Sequence, residues 1–199
     1  TAGDFPGGDF ADVPFPDRLQ HPSPQLALEY RRFMSRLNVD FTRWRSDLIH
    51  KLDPGKWVTT NFQSFMVQHT DYHQMASTID LNGMNHYPAR SPEFILDYYR
   101  GARGKAIVLE QCTRLGPVDI GEGWMRLWAW MAIGHGISGI NFFRWRQCRW
   151  GQEQHADGIL PHGGQETRRY RELARMGGEL AAVGDLIDRT RPEAEVAVL

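Results

Sequence analysis

The chain has 199 residues, with 23 Lys and Arg against 24 Asp and Glu and a formal net charge of −1. That balance excludes a general nucleic-acid binder, whose contact face needs a basic surplus, and no apolar run approaches the ~20 residues of a membrane span. Two cysteines, Cys112 and Cys148, are too few for a disulfide scaffold or a thiolate metal cluster. They read as free thiols in a reducing compartment, which points to the cytoplasm.

Residues 1–24 are rich in Gly, Pro and Asp and carry no core periodicity, an irregular lead-in. Ser23, between Pro22 and Pro24, reads as a helix cap. From Gln25 to Leu52 the apolar positions Leu26, Tyr30, Phe33, Leu37, Phe41, Trp44 and Leu48 recur every three or four residues, which predicts a long amphipathic helix ended by Asp53-Pro54-Gly55. A rhythm of strands and helices follows. W-V-T-T-N-F (57–62) is strand-like by its β-branched and aromatic content. A short helical piece over 72–77 leads to a second strand over 79–88, stopped by Pro88. Residues 91–102 read as helix, 105–110 as strand, 122–135 as a helix dense in Trp and Met, 136–145 as strand and 164–187 as a last helix. The final E-A-E-V-A-V-L (193–199) looks like one more strand, the opening of a second domain after a first unit of 1–192.

Strands alternating with helices imply a parallel sheet, because parallel neighbours need crossover connections. The strand spacing suits β/α units of a (β/α)8 barrel, of which four strands form half. A doubly wound dinucleotide fold fits less well, since no G-x-G-x-x-G follows any strand. In a barrel, chemistry gathers at the carboxyl ends of the strands. Those ends carry Asn61, then Asn85-His86-Tyr87, then Glu110-Gln111, then Arg144-Trp145-Arg146. Each residue alone has a plain structural explanation, as a turn cap, a core ring or a solvated charge. Together they resemble a site for a polyhydroxylated ligand. An apolar strand that runs into Glu110 suits glycoside hydrolysis, in which a carboxylate attacks the anomeric carbon and a second carboxylic acid protonates the leaving oxygen. Such a nucleophile has to be ionised, and Arg144 or Arg146 is expected to supply its donors.

Several stretches carry a family resemblance. L-E-Q at a strand end, L-G-P-V, the helix W-M-R-L-W-A-W-M-A-I-G-H-G, then F-F-R-W-R-Q, G-Q-E-Q and D-G-I-L closely resemble the family 42 glycoside hydrolases, β-galactosidases of bacteria and archaea. H-P-S-P-Q-L-A-L-E-Y-R-R-F and P-G-K-W-V-T-T-N-F are similar to segments of that family before and within its fifth barrel strand. The resemblance implies that the four strands are barrel strands five to eight and that residues after about Glu193 open a flavodoxin-like, trimer-forming domain. It implies a retaining β-galactosidase acting on β-galactosides without an organic cofactor or metal. Glu110 is the implied nucleophile, Glu153 a binder of galactose hydroxyls and Tyr87 an active-site tyrosine, with Asn61 and Arg144 positioning the sugar.

Three features depart from the family pattern. No Asn-Glu pair, the usual place of the acid/base glutamate, occurs in the sequence, so the chain reads as a fragment without its general acid. The family's sugar-binding histidine falls at Ala156; His155, one place earlier, either substitutes for it or belongs to the loop. Ile120 stands where a tryptophan wall of the sugar pocket is common. The competing expectation is a non-catalytic carbohydrate-binding or scaffold half barrel, in which Glu110 is an ordinary hydrogen-bonding group. Another retaining glycosidase of the same barrel class fits the R-W-R-Q to D-G-I-L run poorly.

Overall fold

A computed structural model describes residues 24–62, 70–87, 92–114, 119–154, 156 and 158–196. Among these the elements run α1 (Pro24–Leu52), β1 (Thr59–Phe62), α2 (Tyr72–Ala76), β2 (Leu81–His86), α3 (Pro92–Arg103), β3 (Ala106–Cys112), α4 (Trp124–Gly134), β4 (Ile137–Phe143) and α5 (Arg168–Ile187). The four strands form one parallel sheet in the order β1-β2-β3-β4, each pair joined through a helix. That is the sequential winding of a (β/α) barrel, with four consecutive strands present, as the strand rhythm predicts. Ser23 and the lead-in lie outside the described residues. Residues 193–196, the start of the expected second-domain strand, form no strand, and 197–199 lie outside the described residues.

Packing fixes the sheet from one side. Phe62, Met84, Val108 and Ile137, one from each strand, are buried in a single cluster with Leu96 and Tyr99 of α3 and Tyr72 of α2. The Phe62 ring stacks on Tyr72 at 4.6 Å, and Tyr99 closes the group at 5.6 Å from Phe62 and 5.5 Å from Tyr72. Burial pushes the Tyr99 phenol well above its ordinary value. A second cluster, Cys112, Ile120, Met125 and Trp128, joins the end of β3 to α4.

Helix ends are tied to neighbouring elements. Gly123 enters α4 with a left-handed φ of 91° and offers no capping side chain. Its helix is capped instead by the buried Glu172 of α5, which accepts from the backbone N–H groups of Gly123 (3.0 Å) and Arg126 (3.3 Å) and pairs with Arg168 at 3.2 Å. A carboxylate on a helix N-terminus is favoured by both the free N–H groups and the helix dipole. At the other end of the sheet Asp80, just before β2, accepts from the Val58 N–H at 2.7 Å and meets His50 of α1 at 2.8 Å. One carboxylate thereby holds the end of α1, the approach to β1 and the start of β2 together.

The face that α1 buries differs from the apolar stripe in its sequence. Val39, Thr42 and Ser46 are buried, while Phe33, Leu37, Phe41, Trp44 and Leu48 are exposed, Trp44 at 59%. The helix buries smaller side chains and leaves larger ones exposed. Both outer strands, β1 and β4, have one edge without a partner strand among the described residues.

Two expectations follow. Free strand edges and a broad apolar helix face favour association, so the 199-residue chain alone should self-associate or melt over a broad range. A sharp two-state melt of a monomer in analytical ultracentrifugation and calorimetry contradicts that. The Val58 N–H, opposed by desolvation and aided by His50, holds the Asp80 carboxyl below its ordinary value of 3.8. Because the folded value lies below the unfolded one, the stabilisation is complete above the unfolded value and is lost as pH falls through the folded one. Urea midpoints recorded from pH 6 down to 3 should therefore drop more steeply for the parent than for Asp80→Asn, and parallel curves would refute this.

Candidate active site

Three strand ends converge on one carboxylate. Glu110 lies in β3 beside Asn85 of β2, and Asn61 projects from β1. Asn61 Nδ2 donates to Glu110 Oε1 at 3.2 Å, and Asn85 Nδ2 donates to Glu110 Oε2 at 2.9 Å. The Tyr87 hydroxyl, one residue past β2, donates to the same Oε2 at 2.9 Å. Asn61 Nδ2 also donates to Asn85 Oδ1, which links the two amides and fixes which end of Asn85 faces the carboxylate. Both oxygens of Glu110 are thus oriented, yet the group stays partly open to solvent.

Register explains why these residues meet. Met84 pairs with Val108, but the next residue of β2, Asn85, pairs with Glu110. β3 therefore carries one extra residue at Leu109. The same extra residue shows against β4, where Val108 pairs with Ile140 and Gln111 with Phe142. Such bulges re-aim side chains at the rims of barrels. In an unslipped ladder Asn85 would lie opposite Leu109. Glycine at position 83 gives Leu109 room, since a Cβ there would collide with the Leu109 side chain.

The expected cationic donors are elsewhere. Arg144, just past β4, donates to Cys148 Sγ at 2.7 Å and pairs with Glu153 at 3.4 Å. Arg146 donates through Nε and Nη2 to the His162 carbonyl, at 3.2 and 2.7 Å. The loop after β4 is held by its own contacts, so its guanidiniums are occupied there, and two amides and a phenol hold Glu110 instead. The Phe143–Arg144 peptide at the start of this loop is cis.

Of the residues singled out in the sequence, Asn61, Tyr87 and Glu110 come together directly. Glu153 and Arg144 form a separate, exposed pair. His155 lies outside the described residues. Ala156 contributes only backbone: its N–H bonds the Glu153 carbonyl and its carbonyl accepts from Gln147. Ile120 is buried in the second core cluster, and its carbonyl accepts from Arg168. The sequence places Asn85 among the strand-end polar groups but gives it no role of its own in the site. Strand alternation puts it on the same face as Tyr87, which is the signal that could have found it. The two cysteines differ in setting: Cys112 is buried and Cys148 half-buried. No group of three or more His, Cys, Asp or Glu suited to a metal ion occurs among the described residues, and no described helix is long and apolar enough to cross a membrane. A cavity of about 600 Å³ lies between β4 and α5 and is lined by Ile137, Ile140, Phe142, Met176 and Leu180, away from Glu110.

Comparison with known proteins finds relatives of one family. The family model described as β-galactosidase, of glycoside hydrolase family 42, matches residues 7–183. A β-galactosidase of Thermus thermophilus is 32% identical, with 87% of this chain and 31% of its own length aligned. One from Halorubrum lacusprofundi is 31% identical, over 88% of this chain and 29% of its own. Among solved structures, the β-galactosidase of Bacillus circulans sp. alkalophilus superimposes with a TM-score of 0.81 at 27% identity, over 92% of this chain and 30% of that one. The Halorubrum lacusprofundi β-galactosidase structure gives 0.75 at 29% identity, over 85% and 29%. The chain spans about three-tenths of the length of these relatives.

Proposed function

The chain belongs to the glycoside hydrolase family 42 β-galactosidases, and from that premise we propose that it contributes barrel strands five to eight of a retaining β-galactosidase whose nucleophile is Glu110. The observation that carries the reading is the three-donor cradle around Glu110 at the carboxyl ends of three neighbouring strands. A retaining enzyme needs a carboxylate held in a fixed orientation toward C1 of the sugar. Asn61, Asn85 and Tyr87 supply that orientation. In the first step Glu110 bonds to the anomeric carbon of a β-D-galactosyl unit while a second carboxylic acid protonates the departing oxygen. In the second step the same partner, now a base, takes a proton from water, and the water displaces Glu110. That partner is supplied from outside the 199 residues, as the missing Asn-Glu pair suggests.

Glu153, on the loop after β4, accepts from galactose hydroxyls, with Arg144 beside it to hold its carboxylate in place. Neither step calls for an organic cofactor or a metal. Residues from about Glu193 onward lead into the next domain, through which the full-length protein forms a trimer. Two cysteines, too few for a disulfide scaffold, fit a cytoplasmic location.

Glu110→Gln in the full-length protein should lower turnover of an aryl β-galactoside by several orders of magnitude while galactose binding persists. A 2-deoxy-2-fluoro-galactosyl donor should label the Glu110 peptide in mass spectrometry. Unchanged turnover, or a label on another residue, defeats the assignment. Removing a charged hydrogen-bond partner of the sugar costs about 1.5–3 kcal/mol, so Glu153→Ala should lower kcat/KM by about 10–100-fold, with most of the change in KM; an unaltered KM removes Glu153 from the site.

A further inference from the structure

Directly behind Tyr87 and Glu110, on the next register pair of the same two strands, His86 meets Gln111. Both are buried, at 1% and 0% exposure. His86 Nδ1 lies 2.6 Å from Gln111 Oε1, and Gln111 Nε2 donates to the His86 carbonyl at 3.3 Å. An amide oxygen only accepts, so the imidazole is the tautomer with its proton on Nδ1. The pair closes a two-bond ring across β2 and β3. His86 Nε2 is buried without a hydrogen-bond partner among the described residues. A polar pair in this layer, where an apolar one would pack equally well, calls for a reason beyond packing.

Position supplies the reason. The ring lies immediately past the extra residue at Leu109, and it bonds only when His86 stands opposite Gln111. In the unslipped ladder His86 would face Glu110, and Gln111 would lie opposite Tyr87. The same one-residue slip sets Asn85 opposite Glu110 and, through the next peptide, aims Tyr87 at Glu110 Oε2. Apolar contacts such as that of Cys112 with Met125 and Trp128 also depend on the register, and the His86–Gln111 pair adds two directional bonds that form only in the slipped one.

We propose that the buried His86–Gln111 pair is a register lock that holds the β3 bulge and thereby positions Glu110 against Asn85 and Tyr87. Both are positioning residues that act through the strand backbone, and the catalytic consequence rests on the reading of Glu110 as nucleophile. Two readouts in the full-length protein keep the two ideas apart. Amide hydrogen exchange over 84–87 and 108–112 reports the lock whatever Glu110 does, and turnover reports its consequence. Gln111→Met, which keeps the volume and loses both bonds, should lose exchange protection in those segments. Its kcat should fall by about 100-fold, the scale of a misplacement of about 1 Å, with galactose affinity within about twofold of the parent. His86→Asn, whose amide nitrogen can stand in for Nδ1, should keep protection and retain kcat within a few-fold. Should Gln111→Met fail to fold, Gln111→Glu keeps the acceptor and loses the donor, and should lower kcat by about 10-fold. Parent-like protection in Gln111→Met, or in Gln111→Glu where that replaces it, overturns the lock, as does a His86→Asn variant impaired as severely as Gln111→Met. Lost protection with unchanged turnover leaves the lock standing and overturns its link to Glu110.

Discussion

The site depends on one extra residue in a strand. Parallel sheets set which side chains are neighbours through register, and a slip of one residue changes every pairing beyond it. Below the slip, Met84 and Val108 are both fully buried and belong to the main core cluster. Above it, Asn85 meets Glu110 and His86 meets Gln111. At the slip, the core pair Met84–Val108 gives way to the polar pairs Asn85–Glu110 and His86–Gln111. Core burial anchors the lower half, where Phe62, Tyr72 and Tyr99 interlock, and directional hydrogen bonds define the upper half.

The helices on the β3–β4 side are arranged to leave those strand ends in place. α4 starts at a glycine with no capping side chain of its own, and the carboxylate that caps it comes from α5, almost fifty residues later. α4 in turn packs Met125 and Trp128 on Cys112 at the end of β3. A link therefore runs from Glu172 through α4 to the strand that bears Glu110. Ile120 takes part in the same cluster, so its role is to fill the core between β3 and α4.

Much of this was legible in the sequence. Alternation of β-branched runs with helical periodicity identified every strand and helix of the described residues to within a few positions, because each strand is bounded by Gly, Pro or a polar cluster. The strand-end rule also placed Asn61, Tyr87 and Glu110 in one site. What could not be read is register. Nothing in A-I-V-L-E-Q-C marks Leu109 as the extra residue, so the partnership of Asn85 with Glu110 was invisible even though both were seen at strand ends. The arginines misled for a related reason: proximity in strand order suggested Arg144 beside Glu110, but the loop after β4 turns its guanidinium to Cys148 and Glu153. In α1 the apolar stripe was legible and its orientation was not, since periodicity shows that a helix has two faces without showing which one the sheet receives.

The exchange of a cation for neutral donors has a chemical consequence if Glu110 is the nucleophile. A carboxylate loses its negative charge as it bonds to carbon. An interaction that is stronger with the charged form therefore stabilises the ground state more than the transition state and opposes the step. A guanidinium about 4 Å away interacts by roughly 4 kcal/mol at an effective dielectric of 20. Each neutral donor to a charged acceptor contributes about 1.5–3 kcal/mol net, and that interaction is directional. Three such donors on two oxygens fix the orientation of the carboxylate without setting a full positive charge beside it. Asn61, Asn85 and Tyr87 thus suit a carboxylate in that role, and the charged pair of Arg144 and Glu153 stands on the separate loop.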